Sequence, residues 1–250
     1  GSEMCIRDRV NTVSYAHFYN KEIFKEVGID TIPKTWDDVK RISKKINRFN
    51  SKGYLERVGY LPNYGNLKTS NIIAWQLGHE YLDEKGAVNL SSKEMKDSFL
   101  WIKSFIHEIG LKKVLELMGT FGTGLQHGFI SGKVSMMILD SSYPEIIEKY
   151  KPDFQYGVIP IPSYGDSKPI SSAGIWWLGI PRGVKDPKKS WDFISFLAGE
   201  KNQIDYQKRT EESLFSANKY VAYQENSVSI PYYDVFLYML ENSKSPNIVP

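Results

Sequence analysis

Two hydrophobic periods alternate along the chain. Val10 to Tyr19 is rich in β-branched and aromatic residues and reads as a strand. Lys21 to Val27 predicts a short helix ended by Gly28, and Ile29 to Lys34 a proline-bearing loop. Thr35 reads as a helix N-cap, with Asp37 and Asp38 in the first turn, where the helix dipole favours negative charge. Val39, Ile42, Ile46 and Phe49 then recur at spacings of three, four and three, which is one apolar helix face. Arg57 to Leu61 predicts a strand, Pro62 to Lys68 a loop, and Thr69 to Leu77 a helix. Gly78 to Gly86 turns back. Ser91, with Glu94 three residues on, reads as a capping box for a helix whose face is Met95, Phe99, Ile102, Ile106 and Ile109 and which Gly110 closes.

After a glycine-rich break at 119–124, Val134 to Leu139 is a nearly continuous apolar run, as expected of a strand buried on both faces. Gly157 to Ile161 and Ile175 to Ile180 read as further strands, separated by a crossover marked by Pro160, Pro162, Gly165 and Pro169. Asp186 and Pro187 open a helix that Gly199 terminates. Lys201 to Arg209 and Tyr232 to Glu241 predict two more. Helices and strands in alternation, with apolar strand runs, predict an α/β fold with mostly parallel pairing.

Composition sharpens this only a little. The 250 residues are 41% hydrophobic and 24% charged, with a net charge of +3. That is globular composition, long enough for one large domain or two smaller ones. Acidic and basic residues are interspersed, so no nucleic-acid footprint is present. Cys5 is the single cysteine, which excludes an internal disulfide or a thiolate zinc cluster. No stretch approaches the ~18 consecutive apolar residues of a membrane-crossing helix, and no signal peptide is visible. Residues 1–9, GSEMCIRDR, fit poorly with the rest of the chain and resemble translated sequencing-adapter bases, so no element is expected of them.

Candidate chemistry is sparse. Gly122, Gly124 and Gly128, followed by Asp140, loosely suggest a dinucleotide loop, but the spacing is G-x-G-x-x-x-G and the preceding segment reads as helix rather than strand. His17, His79, His107 and His127 lack metal-ligand spacing. There is no G-x-S-x-G nucleophile turn, and Asp37-Asp38 and Glu211-Glu212 read as capping or solvated charge rather than an opposed catalytic pair. Tyr232-Tyr233 offers phenolates for ferric iron only if both rings converge, which adjacent residues on a strand do not. No cofactor, metal or catalytic residue is therefore expected. Aromatic residues are the informative class, at 14%. Tyr64, Tyr143, Tyr164, Trp176, Trp177 and Tyr232 fall in loops or near strand ends. An indole or phenol at a cleft offers a flat apolar face to a sugar ring while neighbouring Asn and Asp take the hydroxyls.

Several segments carry a family resemblance. FYNKEIFKEVGID at 18–30 and PKTWDDV at 33–39 resemble the signature of family 1 of the bacterial extracellular solute-binding proteins, the maltose-binding-protein-like components of ABC importers. GHEYLDEKG at 78–86 is similar to that family's GGEYLDEDG turn, with His79 in place of the second glycine. FISGKVSMMI at 129–138, GVIPIP at 157–162, 174–181 and SWDFISFL at 190–197 follow in the family's order, and SPNIVP at 245–250 resembles its late crossover.

The resemblance implies a type II periplasmic-binding fold: two lobes joined by hinge crossovers, with solute bound between them. Residues 10–163 would form the C-terminal lobe, 168–223 part of the N-terminal lobe, and 227–250 a return to the first. The N-terminal lobe would then be incomplete, and the signal segment would lie outside this chain. By motif position, Asp140 and Tyr143 would lie where the family places a sugar-stacking aromatic turn, Trp176 on the strand from the other lobe, and Tyr64, Asn71 and Trp75 around a cleft-lining loop and helix start. Tyr232 joins them from the aromatic survey. The implied function is delivery of a sugar or oligosaccharide to a membrane permease by a monomeric protein outside the cytoplasm, periplasmic or lipid-anchored, with no bond made or broken. The alternatives are a carbohydrate-active enzyme and a carbohydrate receptor without a transport role. A phosphate-bearing solute would want a cation, and Lys68 is the cleft-adjacent candidate.

Overall fold

The computed structural model describes residues 4–65, 67–210, 215–223 and 231–244, with side chains throughout except at 4–10, 207, 210 and 219. Glu211-Glu212, the 245–250 segment and the expected start of the last lobe segment at 227 lie outside the described residues. In chain order the elements are β1 (Met4–Asn20), α1 (Lys21–Glu26), α2 (Trp36–Ile46), β2 (Arg48–Phe49), β3 (Leu55–Tyr60) and α3 (Thr69–Gln76). There follow α4 (Lys93–Ile109), α5 (Leu111–Met118), a 3-10 turn at Gly124–Gln126, β4 (Val134–Asp140), α6 (Tyr143–Tyr150) and β5 (Tyr156–Ile159). The last are β6 (Ala173–Pro181), α7 (Pro187–Ala198), α8 (Glu200–Thr210), β7 (Phe215–Ser216), α9 (Lys219–Ala222) and α10 (Tyr233–Glu241).

β1 organises the molecule. Its first part, from Met4 to Ser14, pairs antiparallel with β6, and Asn11 and Thr12 pair with β7. From Tyr15 onward it changes partners, running antiparallel to β4 and then to β5. The ladder to β6 thus begins at Met4, six residues ahead of the strand start expected at Val10. The strand order β2-β3-β4-β1-β5 places β1 inside the second sheet. Mostly parallel pairing is corrected: β3 and β4 pair in parallel, but every ladder made by β1 is antiparallel. The helices between β3, β4 and β5 return the chain so that these three run the same way. β1 enters from the other sheet and runs against them.

Local signals explain most helix boundaries. Thr35 and Asp38 form a reciprocal capping box on α2, and Trp36, Val39, Ile42 and Ile46 are buried on one face. Phe49, expected on that face, instead lies exposed in β2 with Lys113 Nζ 4.8 Å from its ring centre, because Asn47 leaves the helical conformation. Two details of α4 are also corrected. Its N-cap is Ser92, whose hydroxyl accepts the Met95 N–H, not Ser91. Its inner stripe is Met95, Ser98, Trp101, Phe105 and Ile109, while Phe99 is 52% exposed. Both stripes fit a 3.6-residue period; the two large rings, Trp101 and Phe105, which pack on Trp36 and Tyr60, select the rotation that buries them. The tightest approach is α2 on β3, where a Cβ built on Gly59 would stand 2.3 Å from Ser43 Cα. There Ser43 Oγ accepts the Tyr60 N–H and Asn47 Oδ1 the Gly59 N–H.

Phe18 on one face of β1 packs on Phe129, Tyr156 and Phe236, and His17 on the other packs on Trp36 and Tyr60. β6 is different. Ile175, Trp176, Trp177 and Leu178 are all exposed, on both faces of the strand. No helix among the described residues is long and apolar enough to cross a membrane.

Candidate functional site

The carboxyl ends of β3, β4 and β5 point to one end of their sheet, the end at which β1 enters. Ligands of open α/β sheets bind outside the carboxyl ends of the strands. Tyr15 of β1 stands opposite Asp140, the last residue of β4. Together with Gly65, His127, Met137 and Tyr143 they line a cavity of about 140 Å³.

The loop after β3 is held by its own polar groups. Asn63 adopts a left-handed φ of 59°, and its Oδ1 accepts the Ser70 N–H at 3.0 Å. Thr69 Oγ1 accepts the Asn63 N–H at 3.2 Å and shares a 2.7 Å hydrogen bond with the Tyr60 hydroxyl. Lys68 Nζ donates to the carbonyls of Asn63 and Gly65, at 3.2 and 2.8 Å. Gly65 has φ of 99°, and a Cβ there would stand 3.0 Å from Met137 Cε. Glycine therefore lets this loop lie against β4, and the loop sets Tyr64 over the 3-10 turn region.

Tyr64 stacks on His127 at 6.2 Å and meets Phe121 at 5.2 Å; His127 meets Tyr143 at 5.1 Å. The His127 Nδ1 accepts the Phe129 N–H at 3.3 Å, which assigns the ring proton to Nε2. Burial pushes the imidazole down to about 4, so at neutral pH it is an uncharged hydrogen-bond donor. Burial raises the Tyr143 hydroxyl, helped by neighbouring Tyr64 and Asp140; burial and then Asp140 raise Tyr15. Both phenols remain protonated. Asp140 Oδ1 accepts the backbone N–H and the hydroxyl of Ser142, at the start of α6. The ensemble offers apolar ring faces, neutral donors and one carboxylate.

Residues 9–204 match the model of the bacterial extracellular solute-binding protein family. The chain belongs to that family. The description of this family places its members outside the cytoplasm, and the named relatives are binding proteins rather than enzymes. The sn-glycerol-3-phosphate-binding periplasmic protein UgpB of Brucella melitensis biotype 1 is 26% identical over 230 residues, 88% of this chain and 50% of its own length. Among solved structures, CpMnBP1 with mannotriose bound is 25% identical, with a TM-score of 0.70 over 80% of this chain and 52% of that one. An ABC transporter solute-binding protein from Thermotoga lettingae, bound with α-D-tagatose, is 18% identical with a TM-score of 0.72, covering 98% and 62%. The fold is that of the type II periplasmic binding proteins. The chain spans about half the length of the curated relatives it matches.

Of the site residues expected from the sequence, the fold brings Tyr64, Asp140 and Tyr143 to one place. Asn71 sits half-buried in the first turn of α3 with its N–H on the Lys68 carbonyl. Trp75 is 4% exposed and edge-on to Tyr81, within the core beside α4. Trp176 is 54% exposed on β6. Tyr232 has a left-handed φ of 61° and donates to the Tyr156 carbonyl, opposite Asn20 at the far end of the sheet. Its neighbour Tyr233 instead donates to the Ala222 carbonyl, so the two phenols do not converge. Tyr15, Gly65, Phe121 and His127 are additions. His127 lies in the glycine-bearing stretch that loosely suggested a dinucleotide loop, and α5 precedes that stretch where such a loop requires a strand. Among the described residues, no three His, Cys, Asp or Glu side chains are grouped to hold a metal ion.

Proposed function

We propose that this protein is the solute-binding component of an ABC importer and takes a sugar or oligosaccharide between two lobes. The observation that carries this is the Tyr64–His127–Tyr143 ring cluster beside Asp140 at the carboxyl ends of β3 and β4. Pyranose rings present apolar faces that stack on aromatic rings and hydroxyl edges that need donors and acceptors. The pocket supplies both. The mannotriose bound to CpMnBP1 and the tagatose bound to the Thermotoga protein support a carbohydrate cargo.

In this reading 10–163 and the return from 227 form one lobe, and 168–223 belongs to the other. The switch of β1 from β6 to β4 between Ser14 and Tyr15 supports a crossover there. Solute docks on one lobe, and bending at the crossover closes the other over it. Closure is driven by contacts that exist only in the closed state, and a membrane permease reads that state. The protein acts as a monomer outside the cytoplasm, in the periplasm or on a lipid anchor.

The test is a thermal-shift and calorimetric screen against maltose, mannobiose, mannotriose and tagatose. A ligand that binds only the folded state raises the melting temperature with concentration. The expected result is a shift with one saccharide class that Tyr143→Ala abolishes. Silence across all saccharides at millimolar concentration removes the carbohydrate assignment.

A further inference from the structure

A larger cavity lies at the opposite end of the sheet from the Tyr64–His127–Tyr143 cluster. It holds about 600 Å³ at the amino ends of β3 and β4, where β1 passes into α1. Its described lining residues all fall between 20 and 151, so one continuous stretch of the chain builds it. Arg48, Arg57, Lys133 and Lys151 line it. Val58 pairs in parallel with Val134, and its N–H donates to the Lys133 carbonyl at 2.9 Å. That register sets Arg57 and Lys133 side by side on neighbouring strands.

The acidic side chains of this cavity are drawn to its guanidiniums. Glu26 meets Arg57 at 2.8 Å and Arg48 at 3.7 Å, and Glu56 meets Arg48 at 3.3 Å. Glu22 is exposed on the first turn of α1. The two lysines are held instead by neutral oxygens. Lys133 Nζ donates to the Thr120 hydroxyl at 2.8 Å and to the Thr120 carbonyl at 3.2 Å. Lys151 Nζ donates to the Ile130 carbonyl at 3.4 Å and stands 4.8 Å from the centre of the Phe154 ring. An ammonium carries three donors, and these bonds leave donors over on both lysines. Arg57, with 13% of its side chain exposed, has a buried Nε without a partner among the described residues. Ammonium and guanidinium donors with capacity to spare are what binds an oxyanion. Backbone carbonyls already fix both lysines, so little side-chain freedom is lost when a ligand arrives.

We infer that this cavity is a second ligand site, which takes a small molecule of the phosphate-monoester class on Lys133 and Lys151, with Arg57 beside them. Sites for small organic ligands run to roughly 300–1,000 Å³, so the cavity has room for an organic phosphate and not only for the bare ion. Glu26 and Glu56 compete with such a ligand for the guanidiniums and therefore set its affinity from within. The inference is independent of the solute carried in the cleft, because the two sites occupy opposite ends of one sheet.

The experiment measures dissociation constants of the whole chain for inorganic phosphate and sn-glycerol 3-phosphate, by calorimetry and phosphorus NMR. The proteins are wild type, the pair Lys133→Gln with Lys151→Gln, Glu56→Gln, and the cleft variant Tyr143→Ala. Both probes should bind wild type and Tyr143→Ala alike, and more weakly as salt is raised. The lysine pair should weaken both by at least about tenfold. Glu56→Gln, which relieves Arg48 of one carboxylate, should tighten both severalfold. Phosphate binding that Tyr143→Ala abolishes and the lysine pair leaves intact puts the anion in the cleft and overturns the inference. The lysines also tie down Thr120 and Ile130, so their replacement can loosen the fold. A gain of affinity in Glu56→Gln has no such explanation, and its absence overturns the inference whatever the lysine pair does. No binding to wild type at about 10 mM overturns it outright and leaves saccharide binding in the cleft standing.

Discussion

Acid should act on one buried ring before it reaches the carboxylates. His17 sits on β1 with 0% exposure, between Trp36 at 6.4 Å and Tyr60 at 5.6 Å. Neither of its ring nitrogens has a hydrogen-bond partner among the described residues. Burial alone pushes the imidazole down to about 3. An unfolded histidine titrates near 6.5, so the unfolded chain takes up a proton that the folded chain refuses. The folded pKa is depressed, so this contribution to stability is whole above about pH 6.5 and is lost as pH falls toward 3. Each pH unit in that window costs about 1.4 kcal/mol, which amounts to about 2 kcal/mol at pH 5. Against a total of roughly 5–15 kcal/mol that loss is readily measured. Asp38, Glu94 and Glu108 have carboxyls held low by hydrogen bonds and salt bridges, and they contribute only at more acid pH. Urea unfolding at pH 7, 6 and 5 therefore isolates the histidines. His127 titrates in the same window, but its ring is partly open to solvent and its share is smaller. The variant His17→Phe keeps a planar ring and removes both orphaned nitrogens. It should be at least as stable as wild type at pH 7, by up to ~1–3 kcal/mol, and should lose about 2 kcal/mol less on going to pH 5. An unchanged pH dependence in His17→Phe would refute the reasoning, as would a loss of more than about 2 kcal/mol at pH 7.

Other perturbations follow from the packing. Gly59→Ala forces a Cβ against the Ser43 backbone at 2.3 Å, so it should destabilise by ~1–3 kcal/mol or more in a urea titration, and a change under about 0.5 kcal/mol would show that α2 yields freely. Gly65→Ala meets both a left-handed φ of 99° and Met137 Cε; saccharide affinity should fall while the melting temperature drops only slightly, and unchanged affinity would separate the loop from the site. Trp75→Ala empties a core position and should cost ~3–5 kcal/mol, with no loss of affinity in the fraction that stays folded. A pure affinity loss there would return Trp75 to the cleft.

The sequence made the scaffold legible where a signal was local. Thr35 with Asp38, Asp186 before Pro187, and Gly28 and Gly110 at left-handed φ mark helix ends through chemistry confined to a few residues. Strand direction was not local. The apolar runs at β1, β4 and β5 look alike, and only the entry of β1 from the β6 ladder reverses it. The choice between Phe99 and Trp101 on α4 likewise depends on what faces the helix, because both lie on acceptable stripes. α6 went unpredicted altogether, yet its first residue, Tyr143, lines the pocket beside Asp140.

The site divides in the same way. Asp140 and Tyr143 follow a strongly apolar strand, so their place at its carboxyl end could be read from one dimension. Tyr15 and His127 could not. Tyr15 matters because β1 changes sheets at that residue, and no property of Ser14-Tyr15-Ala16 announces a change of partner. The junction is held by groups from both sides: Ser171 Oγ donates to the Tyr15 carbonyl, Ser141 N–H to the Ser14 carbonyl, and Thr12 Oγ1 to the Gly174 carbonyl. The Tyr15 hydroxyl itself would stand 3.5 Å from a Cβ on Gly174, while its ring lines the pocket beside Asp140. One phenol thus lies beside both the β6 ladder and the candidate pocket. In the proposed mechanism, bending at the crossover moves Gly174 relative to Asp140 and so must move Tyr15 within the pocket. Tyr15→Phe should then weaken saccharide affinity, and Gly174→Ala, whose Cβ would stand 2.8 Å from Val13 Cγ2 and so disturb the β1–β6 ladder beside Tyr15, should do so too. If Gly174→Ala leaves affinity untouched while Tyr15→Phe lowers it, Tyr15 is a ligand contact only and the junction carries no coupling.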